Sequence, residues 1–204
     1  MTYPHLKQSL ILCFFILAGL LAKSQTYVGL NAGGGIDGMV SLRAAVPMEH
    51  TFSETFSLYS GISFTQQHNA ELLLKLNHER DYRRVTLSYL GVPLMIKTKF
   101  SLNSFFMYAL AGAQLNYGVG LTTSYLEEGT YGAEKLRFQD IGINRWDVVL
   151  NAGIAVEKEI SNDCKIFAEF LLLFNFYDID QDPVNEIYNE GKVFNLGFLF
   201  PLHK

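Results

Sequence analysis

Cysteine is almost missing. Two occur in 204 residues, Cys13 and Cys164. Cys13 sits inside an apolar run near the start; once that run is removed, Cys164 is left alone, which excludes an intrachain disulfide framework. Charge is scarce as well. Charged residues make up 18%, below the roughly 25% of ordinary soluble domains. Basic residues are the rarer sign, 16 Lys+Arg against 20 Asp+Glu. Without a positive surplus there is no field to neutralise phosphates, so a strongly basic nucleic-acid binder is excluded. Proline is limited to 5, and no Pro-rich linker, tandem repeat or low-complexity tract divides the chain; its length fits one domain. What is abundant is apolar. Hydrophobic residues reach 49%, which excludes disorder. Glycine (17) and aromatics (14%) supply tight turns and large rings, a composition that favours strands.

Residues 1–24 read as a cleaved secretory signal, and residues 25–204 as one mature domain. The front end carries Lys7 and no acid, the run Leu10–Leu21 follows, and Ala22-Lys23-Ser24 puts small residues at the two positions a signal peptidase reads. Cleavage is placed before Gln25. A run of 12 residues is too short for a spanning helix, which needs about 20. Cys13 lies within the run rather than after it, so it is a poor lipoprotein cysteine.

The mature chain is dominated by a period of two. From Trp146, one face reads Trp146, Val148, Leu150, Ala152, Ile154, Val156 and the other Asp147, Val149, Asn151, Gly153, Ala155, Glu157. Successive strand side chains point to opposite faces, so each such run is a strand with one apolar side. Eight runs are expected, near 26–34, 39–47, 55–66, 83–99, 104–120, 145–159, 164–177 and 191–202. In the fourth, the apolar face switches parity between Tyr89 and Leu90, and Pro93 cannot donate to a ladder; a bulge there reconciles both. The uncharged stretch 104–126 rivals a membrane helix, but Gly112, Gln114, Asn116, Gly118 and Gly120 share one parity, which a strand explains and a helix does not. The connectors near 48–54, 100–103 and 160–163 are short; those near 67–82, 121–144 and 178–190 are long, and only 35–38 breaks the alternation. Short turns on one side and long loops on the other are the mark of an up-and-down transmembrane β-barrel.

The second face decides which side meets lipid. It holds Gly29, Asn31, Gly33, Ser41, Gly61, Ser63, Gly112, Asn116, Gly118, Asn151 and Gly153. A secreted lipocalin-like barrel would carry a charged exterior, whereas small polar side chains fit the narrow interior of an eight-strand barrel. Phe56, Phe100, Phe105 and Phe200 fall near the short-turn ends, and Phe64, Tyr117, Trp146, Phe176 and Phe194 near the long-loop ends, as two interfacial girdles would.

Several segments resemble a known family. Tyr89-Leu90-Gly91-Val92-Pro93-Leu94-Met95-Ile96-Lys97, Tyr108-Ala109-Leu110-Ala111-Gly112, Leu150-Asn151-Ala152-Gly153 and Val193-Phe194-Asn195-Leu196-Gly197-Phe198 are similar to the small outer-membrane β-barrel proteins of Bacteroidota, the PorT-like "porin family" barrel domain. The resemblance implies a barrel in the outer membrane and little about activity; one branch of that family serves secretion. Such barrels usually end on an aromatic residue, whereas this chain ends Phe200-Pro201-Leu202-His203-Lys204, so Phe200 would have to serve from an internal position.

The chemical motifs have plain readings. Gly33-Gly34-Gly35-Ile36-Asp37-Gly38 matches G-x-G-x-x-G, but a dinucleotide site needs a helix directly after the glycines, and Met39–Pro47 reads as a strand; a hairpin turn is expected instead. Asp178-Ile179-Asp180-Gln181-Asp182 resembles the opening of a calcium loop, with Pro183 where glycine and Asn189 where glutamate should stand; Asp178, Asp180 and Asp182 are at best a loose surface metal site. Arg43, Lys97, Asp147, Glu157 and Glu169 share the inner face. Charges in a narrow lumen are costly unless paired, so a salt-bridged plug is expected rather than a conduit. His50, His68, His78 and His203 are placed in connectors or at the terminus, and no nucleophile–base pair is visible. The stretch 67–84 sets Leu72, Leu73, Leu74 and Leu76 beside Glu79, Arg80, Asp81, Arg83 and Arg84, either a contact surface or strands extending beyond the membrane.

The sequence therefore predicts an all-β, eight-stranded antiparallel barrel with no cofactor and no catalysis, partnered by outer-membrane lipid and not by nucleic acid. A structural or interaction role through the long loops is favoured. The alternatives are a component of a secretion or envelope-assembly apparatus, a narrow passive pore, and a secreted lipocalin-like binding barrel. Oligomeric state is open.

Overall fold

The computed structural model describes residues 25–37, 39–69, 81–102, 105–127, 130–141, 144–161, 164–175 and 191–202. Nine strands run through them: β1 (Gln25–Asp37), β2 (Met39–Thr51), β3 (Phe56–Asn69), β4 (Asp81–Leu102), β5 (Phe105–Glu127), β6 (Thr130–Lys135), β7 (Trp146–Ser161), β8 (Cys164–Asn175) and β9 (Gly191–Pro201). All pairings are antiparallel, and β1 pairs with both β2 and β9 while β4 pairs with β5. Those contacts close eight strands into a barrel, with β6 attached outside the ring to the far end of β5. Closure is what an all-strand structure needs to leave no exposed edge.

The alternation holds along the wall. On β9, Val193, Asn195, Gly197 and Leu199 are buried and Phe194, Leu196, Phe198 and Phe200 are exposed. The exterior is predominantly apolar: Leu30 is 63% exposed, Ile62 62% and Trp146 56%. Large side chains left bare over a whole surface fit hydrocarbon, not water, so the soluble lipocalin-like reading is set aside. The stretch 105–127 is strand β5, not a membrane helix. Phe56, Phe100, Phe105 and Phe200 stand exposed near the turn end, and Phe64, Trp146 and Phe194 near the loop end; Tyr117 packs on Trp146 with ring centroids 4.7 Å apart.

Four local expectations are corrected. First, β4 keeps one parity from Val85 to Lys97, odd positions buried throughout. The irregularity lies on its partner: Ser88 pairs with Gly120 and Tyr89 with Gly118, leaving Val119 as the extra residue on β5. Val85, Leu87 and Tyr89 are apolar residues that face inward, Leu87 opposite the equally buried Leu121; the strand does not flip. Second, the expected hairpin joins β1 and β2, but its turn is tighter: Gly33, Gly34 and Gly35 belong to β1, which pairs with β2 up to Asp37 and Met39. Third, β2 runs on to Thr51, and His50 and His68 lie in β2 and β3, each bonded through Nδ1 to a threonine hydroxyl (Thr26 and Thr86, both 2.9 Å); His78 and His203 lie outside the described residues, as do Phe176 and Leu72–Leu76. Fourth, 121–144 is largely not a loop. β5 continues to Glu127, β6 returns along it, and a 3-10 turn over Phe138–Ile141 precedes β7.

The two prolines inside the wall sit at breaks in the ladder. β1 and β2 pair from Asn31 with Ala45 and again from Val28 with Met48, with no pairing between, where Pro47 lies. β3 and β4 pair at Ser63 with Gly91 and again at Ser60 with Leu94, skipping Pro93. Neither break shifts the register. Proline has no N–H to give, so the wall omits the bond rather than the residue. Gly61 pairs with Pro47 and has φ +141°, a conformation glycine adopts without the steric cost of a Cβ.

Candidate functional site

The barrel interior is the one place where charge and polarity converge among the described residues. The five charges expected inside, Arg43, Lys97, Asp147, Glu157 and Glu169, are all buried, and the alternation of β2, β4, β7 and β8 puts them there.

They fall into three groups. Near the turn end, Lys97 Nζ pairs with Glu49 Oε2 at 2.5 Å and with Glu157 Oε1. The same ammonium lies 4.2 Å from the Tyr108 ring centroid and 5.8 Å from that of Tyr59, within the range where a ring face attracts a cation. Met95, Leu110, Ala155 and Leu171 pack beside these tyrosines. Below them Tyr27, Phe167 and Leu199 form a second apolar cluster, with Lys165 Nζ 3.9 Å from the Tyr27 ring centroid.

Glu169 stands apart from Lys97. Its Oε1 accepts from Asn195 Nδ2 at 2.7 Å and from Asn31 Nδ2 at 3.5 Å, and Asn31 also donates to the Tyr59 hydroxyl at 3.3 Å. Towards the loop end a relay of side chains joins the remaining pair. Arg43 Nη2 donates to Gln114 Oε1 at 3.0 Å, Gln114 Nε2 to Asn116 Oδ1 at 2.6 Å, and Asn116 Nδ2 to Asp147 Oδ2 at 3.4 Å. A guanidinium and a carboxylate are thus connected through two amides. Burying such charges is tolerable only when each finds partners.

Glu49 was missed in the sequence. It shares the parity of Arg43 on β2, but ending that strand at Pro47 hid it. The amides Asn31, Gln114, Asn116 and Asn195 were visible only as small or neutral positions, because their partners come from strands distant in sequence.

The space beside the Arg43 group is small. Above the Arg43 group the cavity between Ser41, Gln67, Tyr89 and Val193 is about 20 Å³, the space of roughly one water. At the mouth, the excursion between β6 and β7 turns inward. Leu136 N donates to Leu121 O and Gly118 N to Arg145 O, so Leu136 and Arg145 are tied to β5 on either side of the bulge at Val119, and Phe138 is buried against Gly118. A Cβ on Gly118 would stand 2.5 Å from that ring. The Arg145 guanidinium lies 5.7 Å from the Phe138 ring centroid and donates to the Tyr117 hydroxyl at 3.2 Å. Among the described residues no group of three or more His, Cys, Asp or Glu is placed to hold a metal; Asp178, Asp180 and Asp182 lie outside them.

A family model described as "Outer membrane protein beta-barrel domain" matches residues 27–181. Among solved structures, a major outer membrane protein from Thermus thermophilus is 12% identical over 88% of this chain and 100% of that one, with a TM-score of 0.50. The attachment invasion locus protein Ail of Yersinia pestis is 13% identical over 88% of this chain and 97% of that one, TM-score 0.42. Neisserial surface protein A is 9% identical over 87% and 96%, TM-score 0.44. No curated protein matches the sequence. At these identities a structural likeness speaks for fold alone.

Proposed function

The chain belongs to the outer membrane protein beta-barrel domain family and resides in the outer membrane, and from that premise we propose that it is a closed, non-catalytic barrel that works through what it presents outside the bilayer. One observation carries this reading. The charged side chains inside are held by ion pairs or amide partners and Phe138 is buried at the mouth, while β4, β5 and β6 continue as a three-stranded arm past the last described β3–β4 rung. Among the described residues β4 pairs with β3 as far as Val85, at Asn69; Asp81 still pairs with β5, and residues 122–127 of β5 take β6 on their other side. Beyond the Val85–Thr123 rung β5 runs on through residues 124–127, about 13 Å of strand. Among the described residues β6 pairs with β5 alone, and a strand edge of that kind is a ready template for a partner.

Residues 1–24 serve as the export signal in this reading. A PorT-like relationship, with a place in a secretion or envelope-assembly apparatus, is the second reading; it is favoured by the strand Tyr89–Lys97, which supplies Tyr89 and Lys97 to the interior packing.

The test is shortening the arm. Replacing residues 123–134 with a two-residue turn leaves the eight-strand ring intact, checked by heat-modifiable gel migration. Cross-linked partners recovered from outer membranes with the full chain should be lost with the shortened one. An unchanged set of cross-linked species would remove the arm from the function.

A further inference from the structure

The outer wall over β7, β8 and β9 has a dent of about 380 Å³ near the turn end. Two rows of outward side chains build it. The lower row is Phe105, Lys158, Ile166 and Phe198, and the upper is Val156, Ala168 and Leu196, matched across the strands by their registers. Ala168 makes the hollow: it is a single methyl set between Val156 and Leu196, above Ile166 and below Phe170.

The rim is as informative as the floor. Among the described outward-facing side chains of the eight ring strands, charge occurs only at Lys158 near the turn end and Lys192 near the loop end. Lys158 Nζ is held 5.3 Å from the Phe105 ring centroid, at the edge of the hollow. A hollow facing a bilayer is filled by hydrocarbon, and a lone cation at the membrane interface seeks an anionic headgroup. Short turns of such barrels face the periplasm, so the lipid within reach of Lys158 is that of the inner leaflet.

We infer that this groove is a binding site for one phosphate-bearing diacyl lipid of the periplasmic leaflet, with an acyl chain over Ala168 and its phosphate on Lys158. A second copy of the chain is the weaker occupant. A two-fold interface sets the same patch face to face, which would bring Lys158 towards its own copy with no carboxylate on the described outward face to compensate.

Native mass spectrometry of the detergent-solubilised mature chain tests this, with phosphatidylglycerol and the diacylglycerol of the same chains as probes. One phosphatidylglycerol should be retained per barrel, about tenfold better than diacylglycerol, a ratio equivalent to about 1.4 kcal/mol. K158Q should bring phosphatidylglycerol down to the diacylglycerol level, and K192Q should not. A168F and A168L should each fill the hollow and abolish retention of both lipids, with folding checked by gel migration. Unchanged retention in a folded A168F or A168L, unchanged headgroup preference in K158Q, or a dimer in place of the lipid-bound monomer would overturn the assignment.

Discussion

Lys97 on β4 and Glu157 on β7 meet inside the barrel across β5, 60 residues apart in sequence. Glu49, from β2, completes the contact from the other side. One ammonium therefore ties three strands that do not pair with one another, and two carboxylates depend on it.

Removing that ammonium should be severe. Lys97→Met leaves Glu49 and Glu157 buried without their cation, and breaking a buried pair costs about 3–5 kcal/mol. Urea unfolding from lipid vesicles should show a loss of that size. Adding Glu49→Gln and Glu157→Gln to Lys97→Met should recover much of it, since the uncompensated charge is then gone. Equal stability of the single and triple variants would refute the assigned role.

Gly61→Ala should weaken the wall. A Cβ at Gly61 would stand 2.3 Å from Val46 O, in a backbone with φ +141°. Strain of this kind costs on the order of 1–3 kcal/mol. Gly191, with nothing within 4 Å of its Cβ position, serves as the control: Gly191→Ala should leave the unfolding midpoint in place.

The chain has a single tryptophan, Trp146, on the outward face at the loop end of the ring. Lipids brominated close to the headgroup should quench its fluorescence more than lipids brominated at the chain ends. Moving the probe to the outward position four residues along β7, as Leu150→Trp with Trp146→Phe, shifts it about 13 Å along the strand, about 10 Å in depth at the usual strand tilt, and should reverse the order. No quenching at either site would mean that the apolar face does not meet lipid.

Phe138→Ala should loosen the mouth without opening the ring. Loss of a buried phenyl costs about 3–5 kcal/mol where the surroundings cannot collapse. Hydrogen exchange should rise across 136–145 and stay low at Lys97 and Glu157. Planar-bilayer recordings of the unaltered chain should show no stable channel, because the layers below Phe138 remain filled; a reproducible open conductance would contradict the closed interior.

Much of the barrel was legible because two-residue alternation is a local property. Which side chains face inward on β7, β8 and β9 follows from Trp146, Ile166 and Phe194 alone. The errors arose where a local signal has two causes. Apolar residues facing inward and a strand flip both put Val85, Leu87 and Tyr89 on a parity opposite to Leu90 and Val92. Pro47 and a strand end look alike until the break in the β1–β2 ladder is known, and Glu49 was lost with that choice. The relay from Arg43 to Asp147 needs β2, β5 and β7 side by side, and no spacing in the chain announces it. β6 is six residues of ordinary composition that become a strand through pairing with β5.

The proline breaks have a mechanical consequence. Gly29, Pro47, Gly61 and Pro93 lie on adjacent strands, and between them the first and third seams of the wall each miss rungs. A cylinder under tension tears where its stitching is thinnest. Drawn out of the bilayer by one end, this one would rip along the β1–β4 quadrant while the β5–β7–β8–β9 sector, irregular only between Glu159 and Ser161, stayed seated.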